Sequence, residues 1–112
     1  MSVRQVLDRK GDRRVTASCK SAVSDIVHIL AGEGIGTVML TGEDGSLAGI
    51  FSERDLVEAM SCFGAETFRM PVQELMTTPV VTCEPDTSLN GVLALMSSHG
   101  IRHLPVMEED RP

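Results

Sequence analysis

The feature that most constrains this chain is a repeat inside it. Sliding the sequence by 66 positions lays residues 15–46 on residues 81–112 without a gap. Val15-Thr16 falls on Val81-Thr82, Ser21 on Thr87, Val23 on Leu89 and Ile26-Val27 on Val92-Leu93. Ile29-Leu30 falls on Leu95-Met96, Gly34-Ile35 on Gly100-Ile101, Val38 and Leu40 on Leu104 and Val106, and Glu43-Asp44 on Glu109-Asp110. Six of these 32 positions are identical, and the apolar positions coincide almost throughout. Upstream, Val3–Leu7 matches Val72–Met76 at an offset of 69, so the first copy carries a loop three residues longer. A fixed period of this kind means one supersecondary unit used twice.

The unit can be read from its own residues. It opens with a helical turn, Val3–Leu7 or Val72–Met76, followed by a short extended piece, Arg14–Ala17 or Pro79–Cys83. Ser21 and Thr87 are placed as N-caps before apolar residues at helical spacing: Val23, Ile26, Val27 and Leu30 in one copy, Leu89, Val92, Leu93 and Met96 in the other. Gly34 and Gly100 stand where a left-handed C-cap is needed. A strand follows at Thr37–Thr41 or His103–Met107. In copy one, Glu43-Asp44-Gly45 forms a hairpin turn, Leu47–Phe51 is the return strand, and Ser52 caps a helix running to about Met60. The expected order is α-β-α-β-β-α, an α+β fold in two layers. Copy two stops at Pro112, which aligns with Ser46 inside the hairpin turn. The expectation is therefore a shortened second unit, or the ordered part of a longer chain, because a strand at Leu104–Met107 would lack its hairpin partner. The boundaries read as a first repeat over 1–61, a linker over 62–71 and a second repeat over 72–112.

Charge and cysteine usage narrow the function classes. Residues 1–14 hold five bases and two acids, whereas residues 15–112 hold five bases and fourteen acids, a body of −9. Such a body repels a phosphate backbone, which argues against duplex binding. The chain has three Phe and no Tyr or Trp, so stacking platforms for single strands are missing and the core must be aliphatic. Cys19, Cys62 and Cys83 are odd in number and widely spaced, which gives neither a disulfide framework nor a zinc pattern. No apolar run approaches the roughly 18–20 residues of a membrane span. The expectation is a cytoplasmic protein without nucleic-acid or membrane partners.

Gly49-Ile-Phe-Ser-Glu-Arg-Asp55 carries the densest chemistry. A strand ends at Phe51 and a helix starts after Ser52, so unpaired N–H groups and the positive end of a dipole suit a phosphate there. The Ser52 hydroxyl adds a donor, the Asp55 carboxylate can accept from both hydroxyls of a ribose, and Arg54 can reach an anion. Gly49 permits close backbone approach. The same spacing is also that of a capping box with no ligand role, and on spacing alone both readings stand.

With this run and Gly-Ile-Arg-His-Leu-Pro-Val at 100–106, the chain resembles a tandem CBS-domain pair (Bateman module), similar to the small stand-alone CBS-pair proteins of bacteria. The resemblance covers essentially the whole chain. It implies two repeats related by pseudo-two-fold symmetry, with adenosine ligands bound in the cleft between them, and a regulatory rather than catalytic role. It implies one composite site: Ile50, Ser52, Arg54 and Asp55 from copy one, with Thr77, Pro79, Val80 and Val81 giving backbone contacts to the base. Ile101 and Leu104 would flank the adenine, Arg102 and His103 would meet phosphates, and Pro105 would leave a backbone acceptor free of ladder pairing. The symmetry-related site would lack its Ser/Asp motif and offers Gly36-Thr37-Val38 in place of Arg and His, so one good site per chain is expected. The ligands implied are AMP or NAD(H) first, then ATP or S-adenosylmethionine, with no catalytic cofactor. A homodimer through the CBS helices and an unidentified regulated protein are the implied partners. A ligand-free interaction scaffold is the competing reading.

Several features are set aside. Ala31-Gly-Glu-Gly-Ile-Gly36 closes a helix, whereas a dinucleotide fingerprint must open one. His99 and His103 have i, i+4 spacing, but Gly100 and Pro105 argue against a helix there, so no metal site is expected. His28 reads as a surface or packing residue, and Met39, Met60, Met76, Met96 and Met107 read as core fillers or a face toward a partner. No nucleophile–base pair or P-loop suggests an enzyme.

Overall fold

The structure, a computed structural model, describes residues 1–5, 15–101, 103–108 and 111–112. The chain divides into two compact units, Val15–Val80 and Met1–Arg14 with Val81–Pro112. The fold is α+β. No helix among the described residues is long and apolar enough to cross a membrane.

The unit Val15–Val80 is built on a three-stranded sheet in the order β1-β2-β3: β1 is Thr16–Ser18, β2 Thr37–Thr41 and β3 Leu47–Ser52. β1 and β2 run parallel with Thr16 beside Met39, and helix α1, Val23–Glu33, makes the crossover that parallel neighbours require. β2 and β3 form the antiparallel hairpin, with Val38 opposite Phe51 and Thr37 opposite Ser52. Its turn is held by Asp44, whose Oδ1 accepts from the Ser46 N–H at 3.0 Å, while Gly45 supplies φ 82°. Alternation along β2 sends Val38 and Leu40 inward, where they meet Val23, Ile26 and Leu30 of α1 together with Phe51, Val72 and Cys19. This largely aliphatic core buries Phe51 fully, with Phe68 packed partly buried against it.

Helix α1 ends as expected: Gly34 is left-handed at φ 65°, and its N–H turns back to Ala31 and Leu30. Its start differs from the expectation. Ala22, not Ser21, is the N-cap, and no side chain caps it. The main chain of 70–72 does that work instead: the Val23 N–H donates to the Met70 carbonyl at 2.9 Å, and the Val72 N–H donates to the Ser21 carbonyl at 2.8 Å. Helix α2, Glu53–Phe63, runs one turn past Met60 to Gly64, and Gly64–Arg69 and Val72–Glu74 follow as 3-10 turns.

The other unit centres on helix α3, Leu89–His99, closed by Gly100 at φ 63°. Its N-cap is Ser88, not Thr87: Ser88 Oγ accepts from the Gly91 N–H at 3.0 Å, while Thr87 Oγ1 accepts from the Glu84 N–H in the turn before it. Residues 3–5 form a helical turn, and this N-terminal segment ties onto the same turn. The Val3 and Arg4 N–H groups donate to Thr87 and Pro85, and the Met1 carbonyl accepts from Leu89. The strands expected at Pro79–Cys83 and His103–Met107 shrink to a single parallel bridge, Cys83 with Val106. β2 has a neighbour on each side, whereas the described residues around Val106 pair on the Cys83 side.

Candidate functional site

The junction of β3 and α2 is where strand geometry hands over to a helix. Ser52 keeps an extended backbone, φ −112° and ψ 166°, and its side chain closes the capping box. Ser52 Oγ accepts from the Asp55 N–H at 3.2 Å, and Asp55 Oδ2 accepts from the Ser52 N–H at 2.9 Å. The Ser52 hydroxyl also lies 3.1 Å from Asp55 Oδ2 as a donor. Both acids of the first turn, Glu53 and Asp55, stand at the positive end of the helix dipole. The carboxylate of Asp55 is thereby held in one orientation by its own helix.

A second segment of the same unit closes on this junction. Thr77 pairs with Ile50 through both backbone groups: its N–H donates to the Ile50 carbonyl at 2.8 Å, and its carbonyl accepts from Ile50 at 3.1 Å. Buried Gly49 permits that approach, since a Cβ there would lie 2.5 Å from Met76 Sδ and 3.0 Å from the Thr77 carbonyl oxygen. The close partner of Gly49 is thus the protein's own chain. The Thr77 hydroxyl donates to Asp55 at 3.1 Å from Oδ1 and 3.3 Å from Oδ2. Ile50, Ser52, Asp55 and Thr77 are the predicted residues brought together.

Two corrections bear on anion binding. The Glu53 N–H donates to the Gly36 carbonyl at 2.9 Å and the Asp55 N–H to Ser52, so this helix start offers fewer open amides than its sequence suggests. Arg54 is engaged by Glu58, Nε to Oε1 3.3 Å, one helical turn on. That pair is solvated on both sides and worth only about 0.3–0.5 kcal/mol.

The remaining predicted residues are distributed as follows. Pro79 is exposed and Val80 half-buried in the unit Val15–Val80, just after a cis Thr78–Pro79 bond. Val81, Ile101, His103, Leu104 and Pro105 belong to the other unit, and Arg102 lies outside the described residues. His103 is exposed, and Val81, Ile101 and Leu104 are half-buried. The Pro105 carbonyl is not free of pairing: it accepts from the Cys83 N–H at 2.9 Å, because the Cys83–Val106 bridge runs alongside it. The backbone of Thr77 is likewise committed to Ile50, so its role at the junction passes to its hydroxyl. His28 is exposed on α1, Met60 is exposed on α2, and Met39, Met76, Met96 and Met107 are half-buried. No group of three or more His, Cys, Asp or Glu among the described residues could hold a metal ion.

The contact that sequence reasoning missed is the hydroxyl of Thr77 on Asp55. They lie 22 residues apart with no periodic relation, and the only hint is Gly49, whose missing side chain marks a close approach.

With this geometry in hand, the comparisons with known proteins are specific. A family model for the CBS domain matches residues 3–62 and again 72–112. The crystal structure of a CBS-domain-containing protein from Agrobacterium tumefaciens superimposes with a TM-score of 0.91 at 35% identity, covering 98% of this chain and 82% of that one. A CBS-domain pair solved with 5'-methylthioadenosine and S-adenosyl-L-methionine superimposes with a TM-score of 0.84 at 24% identity, covering 99% of this chain and 83% of that one. An uncharacterized protein of Methanopyrus kandleri is 31% identical over 96 residues, 86% of this chain, which spans 49% of that relative's length. The repeat, the capped β3–α2 junction and the two family matches lead to one assignment: the chain belongs to the CBS-domain family, as a tandem pair of CBS domains.

Proposed function

We propose that the chain is a non-enzymatic regulatory module that binds an adenosine-containing small molecule through the Ser52–Asp55 junction. The observation that carries this reading is the Asp55 carboxylate, locked by Ser52 on one side and facing a hydroxyl, that of Thr77, on the other. A fixed carboxylate edge that already accepts from a hydroxyl is suited to a ribose diol. The related pair solved with S-adenosyl-L-methionine and methylthioadenosine supports the choice of ligand class. Neither of these two ligands has a phosphate, and both carry an adenine on a ribose with its 2',3'-diol, so the scarcity of open amides at α2 agrees with sugar recognition ahead of phosphate recognition. AMP, NAD(H), ATP and S-adenosylmethionine remain the ligand set, with Arg54 meeting a phosphate where there is one. Val81, Ile101, Arg102, His103, Leu104 and Pro105 enter the reading through the family resemblance. The three free cysteines suit a reducing compartment such as the cytoplasm. Titration calorimetry with adenosine, AMP, NAD, ATP and S-adenosylmethionine tests the proposal. Binding by at least one that Asp55→Ala abolishes is the expected result, and no heat from any of them overturns it.

A second reading, an interaction scaffold, has its own observation. Val57, Met60 and Phe63 lie along one side of α2 at 66%, 41% and 49% exposure, and Leu93 of α3 is 63% exposed. Apolar stripes on helices are rarely left in water. In this reading they are the faces of a homodimer, and the scaffold and sensor readings are compatible if the dimer transmits ligand binding as a population shift.

A further inference from the structure

We infer that Thr77 is an internal competitor for Asp55, a hydroxyl latch that any sugar ligand must displace. The inference rests on the proposed ribose role of Asp55 and adds to it how that site is held closed. Three observations carry it. First, the Thr77 hydroxyl sits across both carboxylate oxygens, 3.1 Å from Oδ1 and 3.3 Å from Oδ2. That is the edge a vicinal diol needs. Second, the carboxylate cannot swing to present another edge, because Oδ2 is held at 2.9 Å by the Ser52 N–H and at 3.1 Å by its hydroxyl. Third, the main chain of Thr77 is fixed by paired hydrogen bonds to Ile50, at 2.8 and 3.1 Å. The hydroxyl is thus presented at high effective concentration, yet it can leave by side-chain rotation alone, with no loop opening.

The exchange is one hydroxyl for another. Thr77 O–H to carboxylate is broken, ribose O–H to carboxylate is formed, and the freed threonine hydroxyl turns to water or to the ligand. Thr77 is exposed, so this latch is weak and reversible. Its removal should tighten ligand binding by about two- to tenfold, the span expected for one net hydrogen bond. A latch of this strength selects for diols: a ligand with both ribose hydroxyls replaces the lost bond, and one without them leaves Thr77 in place.

The test is calorimetry on the full chain with adenosine and 2',3'-dideoxyadenosine, comparing the unaltered protein, Thr77→Val, Thr77→Ser and Asp55→Ala. The expected result is tighter adenosine binding by Thr77→Val, unchanged binding by Thr77→Ser, which keeps the hydroxyl and controls for folding, and no gain for the dideoxy compound. Equal or weaker adenosine binding by Thr77→Val, with Asp55→Ala still abolishing it, overturns the latch and leaves the ribose role of Asp55 standing. Binding indifferent to Asp55, or absent from every variant, overturns both.

Discussion

Replacing Gly49 with alanine adds one methyl group, and the structure says what that methyl meets. It would lie 2.5 Å from Met76 Sδ, 2.8 Å from Met76 Cγ and 3.0 Å from the Thr77 carbonyl oxygen. The methionine side chain can give way by changing rotamer. The carbonyl cannot move freely, because it accepts from the Ile50 N–H at 3.1 Å and its neighbouring N–H is bonded at 2.8 Å. Forcing a methylene-sized group into a closed space of this kind costs about 1–3 kcal/mol. An opposing effect exists. Gly49 is not among the glycines with positive φ, so alanine fits the backbone and stiffens the unfolded chain, a gain of about 0.4–1 kcal/mol. The steric cost less this gain leaves a net loss of up to about 2.5 kcal/mol. Urea denaturation followed by circular dichroism measures it by linear extrapolation. A double variant with Met76→Ala separates the two obstacles: relief by that second change assigns the loss to methionine, and its persistence assigns it to the carbonyl. If Gly49→Ala is as stable as the unaltered chain, or more so, the close approach of 76–77 to β3 is wrong, and with it the placing of Thr77 over Asp55.

Other expectations follow from the same contacts. Ser52→Ala removes the cap of α2 and should cost about 1 kcal/mol in the same assay, while Ser21→Ala should cost far less, since the main chain of 70–72 caps α1. Burial pushes the Cys83 thiol up, so the folded chain keeps a proton that the unfolded chain releases as alkali is added. The stability this gives is complete below the ordinary thiol range and is lost as pH rises through the raised value. Thermal melts across that range should therefore fall more steeply for the unaltered chain than for Cys83→Ala, and parallel slopes would refute the burial. Val57→Asp on α2 should convert a dimer to a monomer in light scattering with little change in the monomer's own stability, whereas a chain already monomeric before substitution would remove the dimer reading.

Local signals in the sequence were reliable where the physics is local. Gly34 and Gly100 mark left-handed helix ends because no Cβ opposes that geometry, and both are found there. Thr37–Thr41 is a strand because its alternation buries Val38 and Leu40 on one face. Ser52 and Asp55 form a capping box because three residues of helix bring them together. The N-caps of α1 and α3 lie one residue from where the sequence places them for the opposite reason: Met70, Val72 and the Glu84–Thr87 turn compete for the same hydrogen-bonding groups. The pairing of the Pro105 carbonyl is hidden from the sequence similarly, since its partner Cys83 is 22 positions away.

The repeat, the family and the Ser52–Asp55 pair were therefore legible from the order of residues, since periodicity and spacing encode contacts made within one turn of helix or one hairpin. The engagement of Asp55 by Thr77 was not. It depends on Thr77 reaching β3 over a glycine, a meeting of two segments 22 residues apart that only chain folding brings about. What looked in the sequence like an open carboxylate at a helix start is, once folded, a carboxylate already held by a hydroxyl of its own chain.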